Sequence, residues 1–188
     1  EDGTLGLAFV LLGDTWAQLG AREAPSALSG VDALQLARGY ARKDAVGRTL
    51  GMAAINALTR CVFDRIGYVA PDSADSIGEL DPRAGDHVGM VGLFGPLLGR
   101  CTEAGARVTV IELREDLVGE HEGYRVTLDA AELASCNKVL CTSSVLLNGT
   151  ADRILGHCTG AERLAMIGPG AGCLPDPLFR RGVTLFGG

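Results

Sequence analysis

Short apolar runs alternate with stretches of helical periodicity over the second half of the chain. Short, mostly apolar runs predict buried strands at residues 87–91, 107–111, 138–141, 163–167 and 183–186. Between them, helical spacing predicts helices around residues 97–101, 130–133 and 150–154, and an acidic stretch at 114–123 predicts a loop. Strands that alternate with helices imply βαβ units. The pattern therefore predicts an α/β fold with a Rossmann-like parallel sheet over residues 85–188.

The first part of the chain carries one apolar run and one clear helical pattern. Residues 5–12 are apolar and bounded by glycines, which predicts a strand. From Asp44 onward, apolar and small residues recur at helical spacing, and Asp44 stands where a helix N-cap belongs. Gly47 and Gly51 in this helix indicate close packing against another element. A turn-rich stretch at 71–84 predicts a linker, so residues 1–70 are expected to form a smaller α+β domain.

Composition and charge narrow the classes of partner. The chain has 188 residues, of which 47% are hydrophobic, enough for a sizeable core. Its formal net charge of -6 and pI of about 5.0 encode no attraction to nucleic acid or to an anionic membrane, so neither is expected as a partner. No apolar run approaches the roughly 20 residues of a membrane span, and residues 5–12 lack the basic start of a signal peptide. We therefore expect a soluble, cytoplasmic protein.

The six cysteines follow no Cys-x-x-Cys spacing, which favours reduced and mostly buried thiols over a disulfide framework. We expect Cys136 and Cys141 to remain unpaired. The ligands of a metal site would be either three thiols and one imidazole or side chains of the acidic loop. Neither group has a recognised zinc spacing, and buried thiols and a solvated loop are the favoured interpretations. These candidate ligands are Cys141, His157, Cys158 and Cys173, or Glu120, His121 and Glu122.

The first predicted strand of the sheet runs into a glycine turn and then a helix. Gly92, Phe94 and Gly95 belong to this turn, which can present backbone N–H groups and a helix N-terminus to an anion. The Gly-x-x-Gly spacing is only part of a dinucleotide fingerprint, so a purely conformational role for the glycines stays open. Glu112 ends the next strand, where a Rossmann fold places the carboxylate that accepts ribose hydroxyls. A solvated strand-end carboxylate is the alternative.

Two later strands also run into loops with ligand-binding potential. Thr142, Ser143, Asn148 and Thr150 follow the third strand, and their hydroxyl and amide groups serve either a ligand or the cap of the next helix. The following strand leads into a glycine-rich loop with Gly168 and Gly170, whose amides can form a concave anion nest. Because the strands are predicted to be parallel, we expect these loops and Gly92 to share the carboxyl edge of the sheet.

Several of these segments together resemble one known family. They are GDHVGMVGLFGP at 85–96, VTVIE at 108–112, TSSVLLNGT at 142–150, IGP at 167–169 and PLFRRGV at 177–183. The chain is thereby similar to the "putative heavy-metal chelation" family of uncharacterised Rossmann-like proteins. Its segment RTLGMAAINAL at 48–58 resembles the smaller domain of that family, which is similar to the N-terminal domain of enolase. The resemblance implies a ligand cleft between the two domains, a metal role, and a further helix and strand before the first residue here.

Three classes of function remain open at this point. The first is a binding protein for a small anionic metabolite, or for a metal complex of one, held by amides near Gly92, Ser143 and Gly168. The second is an enzyme with a nucleotide-type cofactor, in which Glu112 contacts a ribose and Asn56 or Asn148 adds polar contacts. The third is a homo-oligomeric scaffold. The cofactor is accordingly either a transition or heavy metal or a nucleotide-like ligand, and the sequence does not name it.

Overall fold

The computed structural model describes residues 3–10, 13–22, 25–42, 44–71, 77 and 79–187. Its helices are α1 (Thr15–Arg22), α2 (Pro25–Leu28), α3 (Ala33–Arg38), α4 (Ala45–Ile66), α5 (Gly95–Glu103), α6 (Val145–Asn148), α7 (Ala151–His157) and α8 (Asp176–Phe179). Its strands are β1 (His87–Val91), β2 (Arg107–Ile111), β3 (Gly119–His121), β4 (Tyr124–Thr127), β5 (Lys138–Thr142), β6 (Arg163–Ile167) and β7 (Leu185–Gly187). Three 3-10 turns lie at Gly39–Ala41, Glu115–Leu117 and Ala130–Ser135. No helix in these ranges is both long and apolar enough to cross a membrane.

The seven strands form one sheet in the order β3-β4-β2-β1-β5-β6-β7. All neighbouring pairs are parallel except β3 with β4. The predicted α/β fold with a Rossmann-like parallel sheet is confirmed, and the structure gives β1, β2 and β6 the predicted bounds. Strand β1 lies in the middle, between β2 and β5. Such a strand is buried on both faces, which explains why it reads as a continuous apolar run.

Two layers of apolar side chains cover the two faces of the sheet. On one face, Gly89 faces the turn Ala130–Ser135 so closely that a Cβ there would lie 2.6 Å from a methyl carbon of Leu133. On the other face, Met90 packs in a cluster with Ile77 and Leu80, all fully buried. Ile77 and Leu80 belong to the stretch predicted as a linker, so this part of the chain contributes to the core of the sheet. The proposed division at 71–84 stays a prediction.

The prediction of an acidic loop at 114–123 was wrong, because this stretch contains β3, the first strand of a β-hairpin. Strands β3 and β4 pair antiparallel, with Glu120 opposite Arg125. The turn between them contains Gly123 at φ +83°, a conformation that glycine adopts easily. Strand β3 is an edge strand with only three residues, and its charged side chains are typical of an exposed edge. Its polar composition hid the strand from a search for apolar runs.

Helix α4 is the main element of the first part of the chain. It begins as predicted, since the carboxylate of Asp44 accepts a hydrogen bond from Gly47 N at 2.7 Å, and it ends at Gly67 with φ +66°. Gly51 is a point of close packing in this helix: a Cβ there would lie 2.2 Å from Tyr40 N. The close approach predicted from the small residues of this helix is therefore present.

The predicted strand at 5–12 was wrong for residues 5–10, and residues 11–12 lie outside the described part of the chain. Residues 3–10 contain no strand. They instead lie against α4, where a Cβ on Gly6 would come within 2.1 Å of Ala53 O. The carbonyl of Leu7 accepts a hydrogen bond from Asn56 Nδ2 at 2.6 Å, so a helix side chain stands where a neighbouring strand would pair. In the described residues of the proposed smaller domain there are helices and no strand.

We predict that Gly51→Ala destabilises the protein by about 2 kcal/mol, because the new methyl group meets backbone atoms that cannot rotate away. Gly99→Ala is the matched control. It also adds a methyl group to a glycine inside a helix, but nothing lies within 4 Å of the added carbon. It should be neutral or stabilising by up to about 1 kcal/mol. Urea unfolding of the two variants measures the difference, and equal stability would contradict the close packing.

The amino edge of the sheet is held by a partly buried ion pair. Lys138 Nζ lies 2.7 Å from Asp86 Oδ2 and 2.6 Å from Asp81 O, and the Lys138 side chain is only 10% exposed. Hydrogen bonds from Lys138 and Asn137 hold the pKa of Asp86 at about 2, below its usual 3.8. The folded state therefore binds the Asp86 proton more weakly than the unfolded chain does.

We predict that Asp86 makes the protein sensitive to acid. A lowered folded-state pKa stabilises the fold above the unfolded pKa, and this stabilisation is lost as the pH falls from about 4 to about 2. Its size is on the order of 2 kcal/mol at neutral pH. Asp86→Asn should thus lower stability at pH 7 and flatten the dependence on pH below 4, as measured by urea unfolding across this range. If the free energy of unfolding of the variant fell below pH 4 as steeply as that of the wild type, the ion pair of Asp86 and Lys138 would contribute little.

Candidate functional site

Four of the predicted ligand-binding residues lie at one edge of the sheet. Gly92 follows β1, Glu112 follows β2, Thr142 ends β5 and Gly168 follows β6. These four strands run parallel, so their carboxyl ends share one edge. The predicted placement is confirmed. Their part in binding a ligand stays a prediction.

The order of the strands reverses between β1 and β5. From β1 the chain moves outward to β2 on one side, and from β5 it moves outward to β6 on the other side. In open α/β sheets the crevice at such a switch point is where ligands bind. Gly92 and Thr142 stand on its two sides: a Cβ on Gly92 would lie 3.3 Å from Thr142 Cγ2. Gly92 has φ +86°, so glycine suits this position both for space and for conformation.

The carboxylate of Glu112 supports the turn after β1. It accepts hydrogen bonds from Leu93 N at 2.8 Å and from Leu113 N at 3.0 Å. One side chain thus ties the loop after β1 to the loop after β2. Because both oxygens already bind backbone amides, Glu112 has an evident structural role, and contact with a ribose stays a prediction.

The glycine turn leads directly into helix α5. Phe94 is the N-cap residue and provides no side-chain hydrogen bond to the first turn, while Gly95 and Pro96 open the helix. Pro96 thus lies in the first helical turn, where proline is accepted. The N-terminal end of α5 and its partial positive charge lie at the carboxyl edge of the sheet.

Ser143 and the glycine loop after β6 meet beside the switch point. Ser143 is buried, and its N–H donates to Ile167 O at 2.8 Å. A Cβ on Gly168 would lie 2.5 Å from Ser143 Oγ, and one on Gly170 would lie 3.6 Å from the same atom. The hydroxyl of Ser143 is consequently enclosed by the backbone of the glycine loop, and the structure brings these three predicted residues together.

Asn148 and Thr150 form a local turn at the end of α6. The Oδ1 atom of Asn148 accepts hydrogen bonds from Thr150 N at 3.0 Å and from Thr150 Oγ1 at 2.6 Å. These polar groups are therefore paired with each other, and neither side chain caps α7, since its N-cap residue Thr150 makes no side-chain hydrogen bond to the helix. Gly149 between them has φ +76° and adjoins the guanidinium of Arg48.

Tyr40, Arg48 and Asn56, from the first part of the chain, contact this edge. Tyr40 Oη donates to Leu146 O at 2.6 Å, and Arg48 Nη1 donates to Leu147 O at 3.0 Å. Both carbonyls belong to α6. Burial, together with the nearby Cys173, raises the pKa of Tyr40, although Arg48 opposes the shift. Tyr40 and Arg48 were not identified from the sequence. The available signal was that Arg48, Met52 and Asn56 recur every four residues and so share one face of α4.

Asn56 is the buried polar residue of this contact. Its Nδ2 donates to Leu7 O at 2.6 Å and to Gly170 O at 3.0 Å. Two carbonyl acceptors fix the orientation of the amide, because the reversed amide would place oxygen against oxygen. Its Oδ1 is buried and has no hydrogen-bond partner among the described residues. Asn56, considered at the sequence level only as a contact in an enzyme, thus connects α4 to the glycine loop.

The cysteines do not form a metal-binding group. Over the described residues, no three His, Cys, Asp or Glu side chains are placed to hold a metal ion. Three of the four buried thiols donate to backbone carbonyls: Cys136 to Glu132 O, Cys141 to Thr142 O and Cys158 to Ile154 O. Burial raises the pKa of Cys136 to about 11 and that of Cys158 to about 12, and it raises the pKa of Cys141 as well. Metals bind thiolates, so this donor set does not fit a metal held by the protein alone.

The fold and the edge just described define a Rossmann-like α/β protein with its candidate site at the switch point. The chain belongs to the family described as "putative heavy-metal chelation". One family model, DUF364, matches residues 75–188 and a second with the same description, DUF4213, matches residues 1–59. The resemblance inferred from the sequence is confirmed. No curated protein matches the chain.

Two solved structures of DUF364 proteins of unknown function resemble the chain. The protein from Pyrococcus horikoshii is 22% identical with a TM-score of 0.65, and the match covers 85% of this chain and 64% of that one. The protein from Desulfitobacterium hafniense DCB-2 is 25% identical with a TM-score of 0.62, over 83% of this chain and 61% of that one. The chain thus spans less than two thirds of the length of either relative.

We predict that the thiols differ sharply in reactivity. None of the six cysteines forms a disulfide, and Cys61 and Cys173 are the two that are not fully buried. At pH 8 a thiol reagent should modify at most these two rapidly in the folded protein, because buried thiols with a raised pKa form little thiolate. After unfolding without reductant, six groups should react. Rapid modification of four or more in the folded protein would contradict the burial.

Proposed function

We propose that this protein binds a small anionic metabolite, or a metal complex of one, in the cleft between α4 and the carboxyl edge of the sheet. The switch point between β1 and β5 carries the proposal. Gly92 on one side leaves room that any side chain would fill, and Thr142 on the other side supplies a hydroxyl.

Anionic groups suit this edge because the N-terminal end of α5, which has no side-chain cap, presents partial positive charge without a fixed cation. The amides of Gly92 and Leu93 in the preceding turn already donate to Ile111 O and to Glu112. The loop after β6 adds Gly168 at φ +142° and Gly170, both close to the Ser143 hydroxyl. Arg48 is the nearest cation on α4 that contacts this region, and a carbonyl of α6 already engages it. The ligand is therefore expected to be recognised by hydrogen bonds more than by ion pairs.

A metal would be held through the ligand that brings it. The family description implies metal binding, but the described thiols do not form a site, as their burial and raised pKa values show. A metabolite that chelates a metal with its own carboxylates can still place its remaining oxygens on backbone amides. This form of the proposal reconciles the description of the family with the side chains present in this chain.

We predict that Gly92→Ala removes binding and Gly105→Ala does not. The two glycines are closely matched: φ is +86° and +77°, and an added Cβ would lie 3.3 Å from the nearest carbon in both. The strain of about 1 kcal/mol should thus be similar. Gly105, however, precedes β2 at the opposite edge of the sheet. Only the change at Gly92 should affect a ligand at the switch point.

The measurement is the rise in melting temperature caused by citrate and by its zinc complex, since a ligand of the folded state stabilises it by mass action. Wild type and Gly105→Ala should be stabilised equally, and Gly92→Ala should not be stabilised. Stabilisation of Gly92→Ala to the wild-type extent would place the site elsewhere. The absence of any effect of either probe on the wild type would argue against a chelating polycarboxylate.

A further inference from the structure

A second cavity lies at the opposite, amino edge of the sheet. Its volume is about 630 Å³, and its walls come from β1, β2, the hairpin β3–β4 and the turn Ala130–Ser135. Residues at the start of strands, including His87 and Arg107, line it together with Arg125 and Glu132. It is thus separated from the carboxyl-edge cleft by the length of the parallel strands.

The two arginines that line this cavity differ in their ion-pair partners. Arg125 lies between two carboxylates, 3.4 Å from Glu120 and 3.1 Å from Glu132. Arg107 has no carboxylate partner among the described residues, and its Nη2 lies 2.7 Å from His87 Nδ1. An arginine that adjoins an imidazole and no carboxylate retains the capacity to bind an oxyanion with its planar pair of donors.

His87 has competing neighbours on one of its ring nitrogens. Its Nε2 lies 2.9 Å from Thr109 Oγ1, while its Nδ1 lies 3.0 Å from Ser135 O as well as close to Arg107. A neutral ring can either accept from Arg107 or donate to Ser135 O at that nitrogen, but not both. Burial and Arg107 lower the pKa of His87, whereas Ser135 O and Glu132 raise it. The arrangement is therefore sensitive to any anion that draws Arg107 away.

We propose that this amino-edge cavity is an oxyanion site, in which a phosphate or carboxylate group binds the Arg107 guanidinium and His87 takes up a proton. On binding, Arg107 turns from His87 to the anion. His87 then accepts a proton from solvent and donates from Nδ1 to Ser135 O and from Nε2 to Thr109 Oγ1. One negative charge and one proton enter together, so the net charge of the cavity does not change for a singly charged oxyanion.

The surrounding charges are compatible with this exchange. Arg107 on β2 and Glu132 on the turn Ala130–Ser135 face His87 most closely, and they oppose each other in their effect on its pKa. Glu120, His121 and Arg125 on the hairpin line the same cavity. Glu120 and Glu132 are engaged by Arg125, which leaves Arg107 as the cation available to a ligand.

Binding of sulfate and of acetate to the full chain tests the proposal. Sulfate represents a tetrahedral phosphate-like group and keeps one charge state across the pH range used. Acetate represents a carboxylate. Saturation should raise the pKa of His87 by about one unit, and because the coupling is reciprocal the affinity for the preferred anion should increase by a few-fold, and at most about tenfold, between pH 8 and pH 6. NMR titration of the imidazole protons measures both effects, and His87→Gln assigns the signal.

Variants separate this site from general charge effects and from the carboxyl edge. Arg107→Gln should weaken binding at least tenfold, and His87→Gln should leave binding measurable but independent of pH. Arg163→Gln is the matched control, since Arg163 is likewise the exposed first residue of a parallel strand at this edge. It should bind as the wild type does, and so should Gly92→Ala.

Several outcomes would overturn the proposal. One is wild-type affinity in Arg107→Gln, and another is equal weakening in Arg107→Gln and Arg163→Gln, which would indicate charge attraction without a site. Failure of both anions to bind the wild type, or binding without a change in the pKa of His87, would do so too. Because Gly92→Ala and Arg107→Gln act at opposite edges, binding at the carboxyl edge and binding at the amino edge can fail independently.

Discussion

Burial of the central strand on both faces is the constraint on which the rest of the structure depends. Strand β1 pairs with β2 and β5, and its residues from Val88 to Val91 are buried. Backbone polar groups in such a strand are satisfied only by the neighbouring strands, and its side chains have no access to water. Groups that need a ligand, water or an ion partner must therefore lie beyond the strand ends. This places the chemistry of the protein at the two edges of the sheet.

Close backbone packing then determines how the first part of the chain covers the carboxyl edge. Helix α4 can approach Tyr40 only because Gly51 lacks a side chain, and residues 3–10 can approach α4 only because Gly6 does. The same helix face carries Arg48 and Asn56, which donate to carbonyls of α6 and of the glycine loop. These hydrogen bonds hold α4 against the carboxyl edge, since leaving buried acceptors unpaired is costly. The contact between α4 and this edge is thus a consequence of small residues and polar residues on one helix.

The sequence predicted those elements whose environment is uniform along their length. Strands β1, β2 and β6 are mostly apolar because they are covered by protein, and their bounds were predicted correctly. Strand β3 was missed, since an exposed edge strand with Glu120 and His121 has no apolar signature. Residues 5–10 were mistaken for a strand because an apolar segment that packs on a helix has the same composition as one that pairs in a sheet.

For the candidate site, the sequence predicted the positions of residues that follow from strand direction, but not the partners of their side chains. The placement of Gly92, Glu112, Thr142 and Gly168 follows from strand direction alone, which a single sequence reveals. The partners of individual side chains do not follow. That Glu112 binds the amide of Leu93, or that Asn148 binds Thr150, depends on distances between loops. Arg48 and Tyr40 escaped notice because their partners are backbone carbonyls far along the chain, and carbonyls have no sequence signature.

The distribution of thiols and cations limits how a metal can be bound. Cys136, Cys141 and Cys158 belong to the apolar cluster on one face of the sheet, where burial opposes the thiolate that a metal requires. Chelation by these thiols would need the core to open, and the cooperative packing of a sheet face resists such opening. The N-terminal end of α5 at the carboxyl edge carries partial positive charge and would repel a bare cation. Under the proposed function, a metal at this edge would therefore arrive with anionic ligands of its own, and the protein would recognise the complex through those ligands.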